Sequence, residues 1–328
     1  IDTTFSTFVY KSKSKKYLII GSYQTISQEY RILEADQPTG AFRVIQPRER
    51  NLEYSIAHFG EHFYILTNWE AKNFRLMKTP EIATGKENWE EVVPHRTNVL
   101  IEDVDVFKDY LVLSERYQGL TRLWVKPHAG EDYYVPFEEE AYLTYTAQNQ
   151  EFHTPTLRLG YQSMATPPSV FNFDMRDHSF TLLKEQEVLG GFNSDDYQTE
   201  RIMAPVRDGV KVPISIVYHK DTQKGPNTPL LLYGYGAYGN SMEPYFSSAR
   251  LSLLNRGFIF AIAHIRGGEE MGRYWYEDGK LLKKKNTFYD FIDCGKYLIN
   301  QEYTSANQLF GMGGSAGGLL IGAVMNMK

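Results

Sequence analysis

Leu309-Phe310-Gly311-Met312-Gly313-Gly314-Ser315-Ala316-Gly317-Gly318-Leu319-Leu320 reads as a short apolar strand, a glycine-rich turn around one serine, and the start of a small-residue helix. A serine hydroxyl becomes an effective nucleophile when a sharp strand-to-helix turn lifts it above the end of a sheet, and such a turn leaves no room for Cβ atoms beside it. Gly313 and Gly317 supply that clearance in the G-x-S-x-G spacing. The same turn places the backbone N–H of Ala316 at a helix N-terminus, where it can donate to an oxyanion. On spacing alone a glycine-rich loop fits equally well. The apolar strand before the serine and the helical pattern after it favour the nucleophile.

Upstream of this turn, from about Tyr197, buried-strand runs alternate with helical text. Arg201–Val206 and Val212–Tyr218 flank Asp208-Gly209, a hairpin signal. Apolar runs follow at 229–233 and 257–263, then a helix is predicted from about Asn286 to Asn300. This alternation predicts a largely parallel sheet with helices on both faces and a ligand site beyond the carboxyl ends of its strands. A second oxyanion donor has to come from the loop after an earlier strand. Tyr233-Gly234-Tyr235-Gly236-Ala237-Tyr238-Gly239 follows such a strand directly, with small residues for close approach and phenols able to donate. By composition it reads equally well as an ordinary Gly/Tyr turn.

The first two hundred residues have a different grammar, of short strands and turns that repeat. The apolar strands beginning at Tyr17, Phe63, Tyr110 and Leu157 are spaced by 46, 47 and 47 residues. A strand-and-turn period of that size predicts β-propeller blades, which bury their faces only by stacking around an axis. Three to four blades are visible. An open β-sandwich is the competing architecture, and the even period counts against it.

The 328 residues carry a formal net charge of −5, with the basic residues scattered. Lys283-Lys284-Lys285 reads as a solvated loop or helix start, so no nucleic-acid partner is expected. No apolar run approaches the ~18 residues of a membrane span, and no membrane partner is expected. Cys294, the single cysteine, excludes an internal disulfide and sits in a helical pattern as a packed thiol. A reducing, cytoplasmic setting is the expectation. With Ile1 as its first residue the chain leaves a preceding leader open. There is no Walker loop, H-E-x-x-H or clustered Cys/His set, so neither a cofactor nor a metal is expected.

From Leu230 onward the sequence resembles the prolyl oligopeptidase family of serine peptidases, in particular its oligopeptidase B branch. The resemblance rests on Tyr233–Gly239, Arg250–Leu254, Arg256-Gly257, His264–Gly268, Trp275–Lys280 with Lys283–Phe288 after it, and Gly313–Gly318. Ala316, where prolyl oligopeptidase proper has asparagine, points to that branch. The implied fold is mixed: all-β propeller blades over residues 1–196, then an α/β-hydrolase domain from 197 to 328, incomplete at its C-terminus. In the family a seven-bladed propeller shields the hydrolase domain. The resemblance implies Ser315 as nucleophile, Tyr235 as the oxyanion hydroxyl, the Ala316 amide as its partner, and Glu243 and Tyr238 as substrate-binding residues. It also implies short peptide substrates cut after Arg or Lys through an acyl-enzyme. Oligomeric state stays open. The triad order Ser, Asp, His places the last two members after the serine, and the chain ends 13 residues beyond Ser315. All eight histidines precede Ser315; His264 reads as a packing or loop-fixing residue rather than a relocated base. Esterase or acylaminoacyl-peptidase-like activity on the same fold, and a non-catalytic propeller binding module, are the alternatives.

Overall fold

The computed structural model describes residues 3–327; Ile1, Asp2 and Lys328, the ends of the two expected halves, lie outside the described residues. Four antiparallel four-stranded sheets come first, each built from consecutive strands. They comprise β1–β4 (Ser6–Lys11, Tyr17–Gln24, Ser27–Glu34, Arg43–Val44), β5–β8 (Tyr54–Phe59, His62–Thr67, Arg75–Pro80, Glu90–Val93), β9–β12 (Val99–Val106, Tyr110–Tyr117, Leu120–Pro127, Tyr133–Tyr134) and β13–β16 (Tyr142–Thr146, Thr156–Ser163, Ser169–Asp174, Phe180–Glu185). The repeating apolar strand is the second strand of every blade, and the fourth repeat, the weakest in sequence, is a complete sheet. A sandwich is excluded, because the sheets stack in series.

Strand alternation explains how the blades hold together. Successive side chains point to opposite faces of a strand. In β6, Phe63 and Ile65 pack with Tyr17, Ile19 and Ile32 of the first blade. Their neighbours Tyr64 and Leu66 pack with Ile101, Leu111 and Leu113 of the third. In β10 the next residue over, Val112, faces Leu157, Leu159 and Phe173 of the fourth blade. A strand buried on both faces reads as a continuous apolar run, which is why 63–66 and 110–113 do not alternate.

The second half is one five-stranded sheet in the order β17-β18-β20-β19-β21, formed by Tyr197–Pro205, Lys211–His219, Leu230–Tyr233 (β19), Ile259–Ala263 (β20) and Leu309–Met312 (β21). The expected largely parallel sheet needs correction. β17–β18 is the hairpin around Asp208-Gly209, and β18 meets β20 antiparallel; only β20–β19 and β19–β21 are parallel. Helices α3 (Lys285–Asn300) and α4 (Ala316–Met327) cover one face, where Phe291, Cys294, Leu298 and Leu320 pack on Ile214, Leu230, Leu232 and Ile259. α1 (Ser248–Leu254) covers the other through Leu254, against Val217, Phe260 and Ile262. Met164 of the fourth blade joins that second cluster. α2 (Arg273–Glu277) is a short turn whose Trp275 is fully buried in the first. The Cys294 thiol is buried and unpaired, and its ionisation is pushed up by burial.

Candidate active site

β21 runs directly into the turn 313–315 and then into α4. Ser315 is exposed and has φ +53°, the left-handed region that a non-glycine residue enters at a cost of ~1–2 kcal/mol. The turn leaves the Ser315 side chain exposed beyond the end of β21. The flanking glycines are sterically required: a Cβ on Gly313 would collide with the Gly317 carbonyl, and one on Gly317 would lie 2.8 Å from the Gly234 oxygen. Ala316 opens α4, so its amide stands at that helix's N-terminus.

The contact between Gly317 and Gly234 fixes the relation of the two loops. The 233–239 loop leaves β19, the strand paired with β21, and the Gly234 amide donates to the Met312 carbonyl at 3.1 Å. Tyr235 follows, half-buried, with its Cα 3.6 Å from where a Gly317 Cβ would stand. Tyr235 therefore abuts the first turn of α4, next to the serine. Beneath it Gly236, at φ +65°, is packed so closely that an added Cβ would lie 2.8 Å from Ile265 Cγ1 and 2.9 Å from the Arg266 oxygen. The Gly239 amide donates to the Gly267 carbonyl at 2.9 Å, so the loop after β20 backs the loop after β19. That backing is held by Arg266, whose guanidinium donates to both oxygens of buried Asp290 at 2.6 and 2.8 Å and to Asp208 at 2.7 Å. Tyr238, by contrast, is three-quarters exposed at φ +61° and stands clear of the turn's packing.

Glu243 has a different employment from the expected substrate carboxylate. Its two oxygens accept from the Arg116 guanidinium of β10 at 2.5 and 3.3 Å, and Arg116 also donates to Glu102 of β9 at 2.8 Å. Burial works against the Arg116 charge, but the two carboxylates outweigh it and hold its ionisation well above the usual range. Glu243 thus ties the hydrolase sheet to the third blade. Tyr245, two residues on, is half-exposed, and its carbonyl accepts from Arg250 at 2.9 Å.

His264 is buried, and its Nε2 lies 2.8 Å from Ser215 Oγ. Burial, then the positive charges of Arg201 and Arg116, push its pKa down to about 3. Its Nδ1 lies 3.9 Å from Glu270, a buried carboxyl pushed up to about 8 by burial, whose Oε1 accepts from the Met242 amide at 2.8 Å. His264, expected as a packing or loop-fixing residue, is enclosed, neutral and bonded to Ser215 of β18, and no described histidine hydrogen-bonds Ser315. No three His, Cys, Asp or Glu side chains among the described residues converge as a metal site would require.

Comparison with known proteins bears on this arrangement directly. Residues 2–186 match the family model described as prolyl oligopeptidase, N-terminal beta-propeller domain, and residues 244–328 match that of the prolyl oligopeptidase family. This chain belongs to the prolyl oligopeptidase family. Dipeptidyl aminopeptidase BI of Pseudoxanthomonas mexicana is 42% identical over 99% of the chain and 45% of its own length. Protease 2 of Moraxella lacunata is 37% identical over 99% and 47%. The solved oligopeptidase B of Leishmania major superposes with a TM-score of 0.91 at 40% identity, over all of this chain and 47% of that one. The chain spans about half the length of the curated relatives it matches. Its blades and incomplete hydrolase sheet are those of this peptidase family, as the sequence motifs implied. The partner of Glu243 was invisible to sequence reasoning, because Arg116 lies 127 residues away.

Proposed function

We propose that this chain is the central part of a serine oligopeptidase that cleaves short peptides after Arg or Lys. Ser315 attacks the scissile carbonyl, the oxyanion is held by the Tyr235 hydroxyl and the Ala316 amide, and water releases the acyl-enzyme. The observation that carries the reading is Ser315 itself: an exposed serine in a strained conformation between β21 and α4, with the Tyr235 loop packed against the glycines beside it. The base and its orienting acid come from residues outside the 328 described by this sequence, as the family resemblance implies. The preference for basic residues rests on that resemblance and needs a carboxylate other than Glu243, which Arg116 occupies. A cytoplasmic location is part of the same proposal.

The test uses the full natural protein. Wild type and Ser315→Ala are assayed on an arginyl peptide amide and on a small acyl ester. Loss of arginyl turnover by ~10³-fold or more in the variant is expected, since the nucleophile is the group removed. Equal turnover in the two proteins would overturn the reading, and ester hydrolysis without arginyl cleavage would transfer it to an esterase.

A further inference from the structure

The run Lys283-Lys284-Lys285 is not uniformly solvated. Lys283 pairs with Asp278 at 2.6 Å, and Lys285 is exposed. Lys284 between them is half-buried and turns its ammonium onto the carbonyl oxygen of Gly236, in the loop that carries Tyr235. Three features set this lysine apart. Among the described residues it has no carboxylate within ion-pair distance, whereas its neighbour does. Burial disfavours its charge, and the Gly236 carbonyl is the polar group that receives it. It is also the N-cap of α3, where the positive end of a 16-residue helix repels a cation. An ordinary surface lysine at this position would turn outward to water.

Gly236 is the residue after Tyr235, at φ +65°, with its underside against Ile265 and Arg266. Close packing from below and a charge-assisted hydrogen bond to its carbonyl leave the 236–237 peptide unit one orientation. The peptide held in this way begins one residue past Tyr235, so it anchors the loop on the C-terminal side of Tyr235 and with it the place of the phenol relative to Ser315. Resting on the reading of Ser315 and Tyr235 given above, we infer that Lys284 is a positioning residue of the oxyanion loop, holding the Gly236 carbonyl so that the Tyr235 hydroxyl is aimed before substrate arrives. Preorganised donors of this kind act on the transition state more than on substrate binding.

In the full natural enzyme, Lys284→Met keeps the length of the side chain and removes its charge and donor. Its kcat on an arginyl peptide should fall by ~10- to 100-fold with KM within ~2-fold of wild type. Combining it with Tyr235→Phe should lower kcat no more than a few-fold below Tyr235→Phe alone, because both changes remove the same donor. Lys285→Met should behave as wild type. Thermal unfolding checks that each variant is folded. Should Lys284→Met fail to fold, Lys284→Gln, measured alike, is expected to show the same loss in kcat. Wild-type kcat in a folded Lys284 variant, or losses that multiply in the double variant, would overturn the inference. If Ser315→Ala is inactive while Lys284→Met turns over normally, only the Lys284 assignment falls. If Ser315→Ala stays active, the reading of the site and this inference fall together.

Discussion

Glu270 and His264 are a buried pair whose ordinary charges are both suppressed by the fold. Glu270, pushed up to about 8 by burial against an ordinary 4.5, is protonated in the folded protein at neutral pH. Unfolding between pH 4.5 and 8 therefore releases a proton, and stability declines as pH rises through that window. His264, pushed down to about 3 from 6.5, stays neutral in the fold. Unfolding between pH 3 and 6.5 takes up a proton, so stability declines as pH falls through that lower window. The two slopes oppose each other between 4.5 and 6.5 and leave Glu270 alone above it. Glu270→Gln keeps an acceptor for the Met242 amide and cannot ionise. The difference in unfolding free energy, variant minus wild type, should become more favourable by ~1 kcal/mol per pH unit from 6.5 to 8. Denaturant titrations at pH 6.5, 7.25 and 8 measure it. A difference that stays flat would mean that Glu270 is already ionised at neutral pH.

Between elements, the Glu102–Arg116–Glu243 triad joins β9 and β10 of the third blade to the loop after β19. Arg273 makes a parallel link, donating to Glu53 of the second blade at 2.8 Å and to Glu269 at 2.8 Å. Removing one member of a largely buried charge network leaves the others uncompensated. Glu243→Gln should lower stability by roughly 1–3 kcal/mol, seen as a drop in melting temperature, because Arg116 keeps Glu102 as one partner. It should leave the ratio of catalytic efficiencies for Arg-Arg and Ala-Arg peptides unchanged. A fall in that ratio would instead mean that a substrate cation displaces Arg116 and reaches Glu243. What the sequence made legible follows the range of the interactions. The serine turn was readable because strand, glycines and helix lie within twelve consecutive residues. The blades were readable because the same strand returns three times. Strand direction in the hydrolase sheet was not, since β20 reaches its place between β18 and β19 only through tertiary pairing. Nor was the inward turn of Lys284, which no local pattern distinguishes from Lys283 or Lys285.

Across the whole molecule, the propeller sits over the carboxyl ends of β19 and β20, where both candidate oxyanion and domain-linking loops emerge. Asn73 Oδ1 accepts from the Arg273 amide at 2.9 Å, Gln162 Oε1 from the Phe246 amide at 3.1 Å, and Lys72 pairs with Glu277 at 2.6 Å, so the second and fourth blades touch that edge. Blades tied to that edge are expected to admit a flexible chain to Ser315 more readily than a packed domain. Two outcomes separate what residues 1–328 do from what the full natural protein does. The 328-residue polypeptide alone should hydrolyse an arginyl peptide negligibly, because no described histidine hydrogen-bonds Ser315 and His264, just beyond β20, is enclosed and bonded to Ser215. The full protein should cleave a short arginyl peptide while leaving a folded protein of the same cleavage sequence intact over the same period. Both are read by mass spectrometry of the products. Robust turnover by the 328-residue chain, abolished by Ser315→Ala, would require a base within it and would make His264 the first residue to substitute. Rapid cleavage of the folded protein would mean that the blades do not restrict access to Ser315.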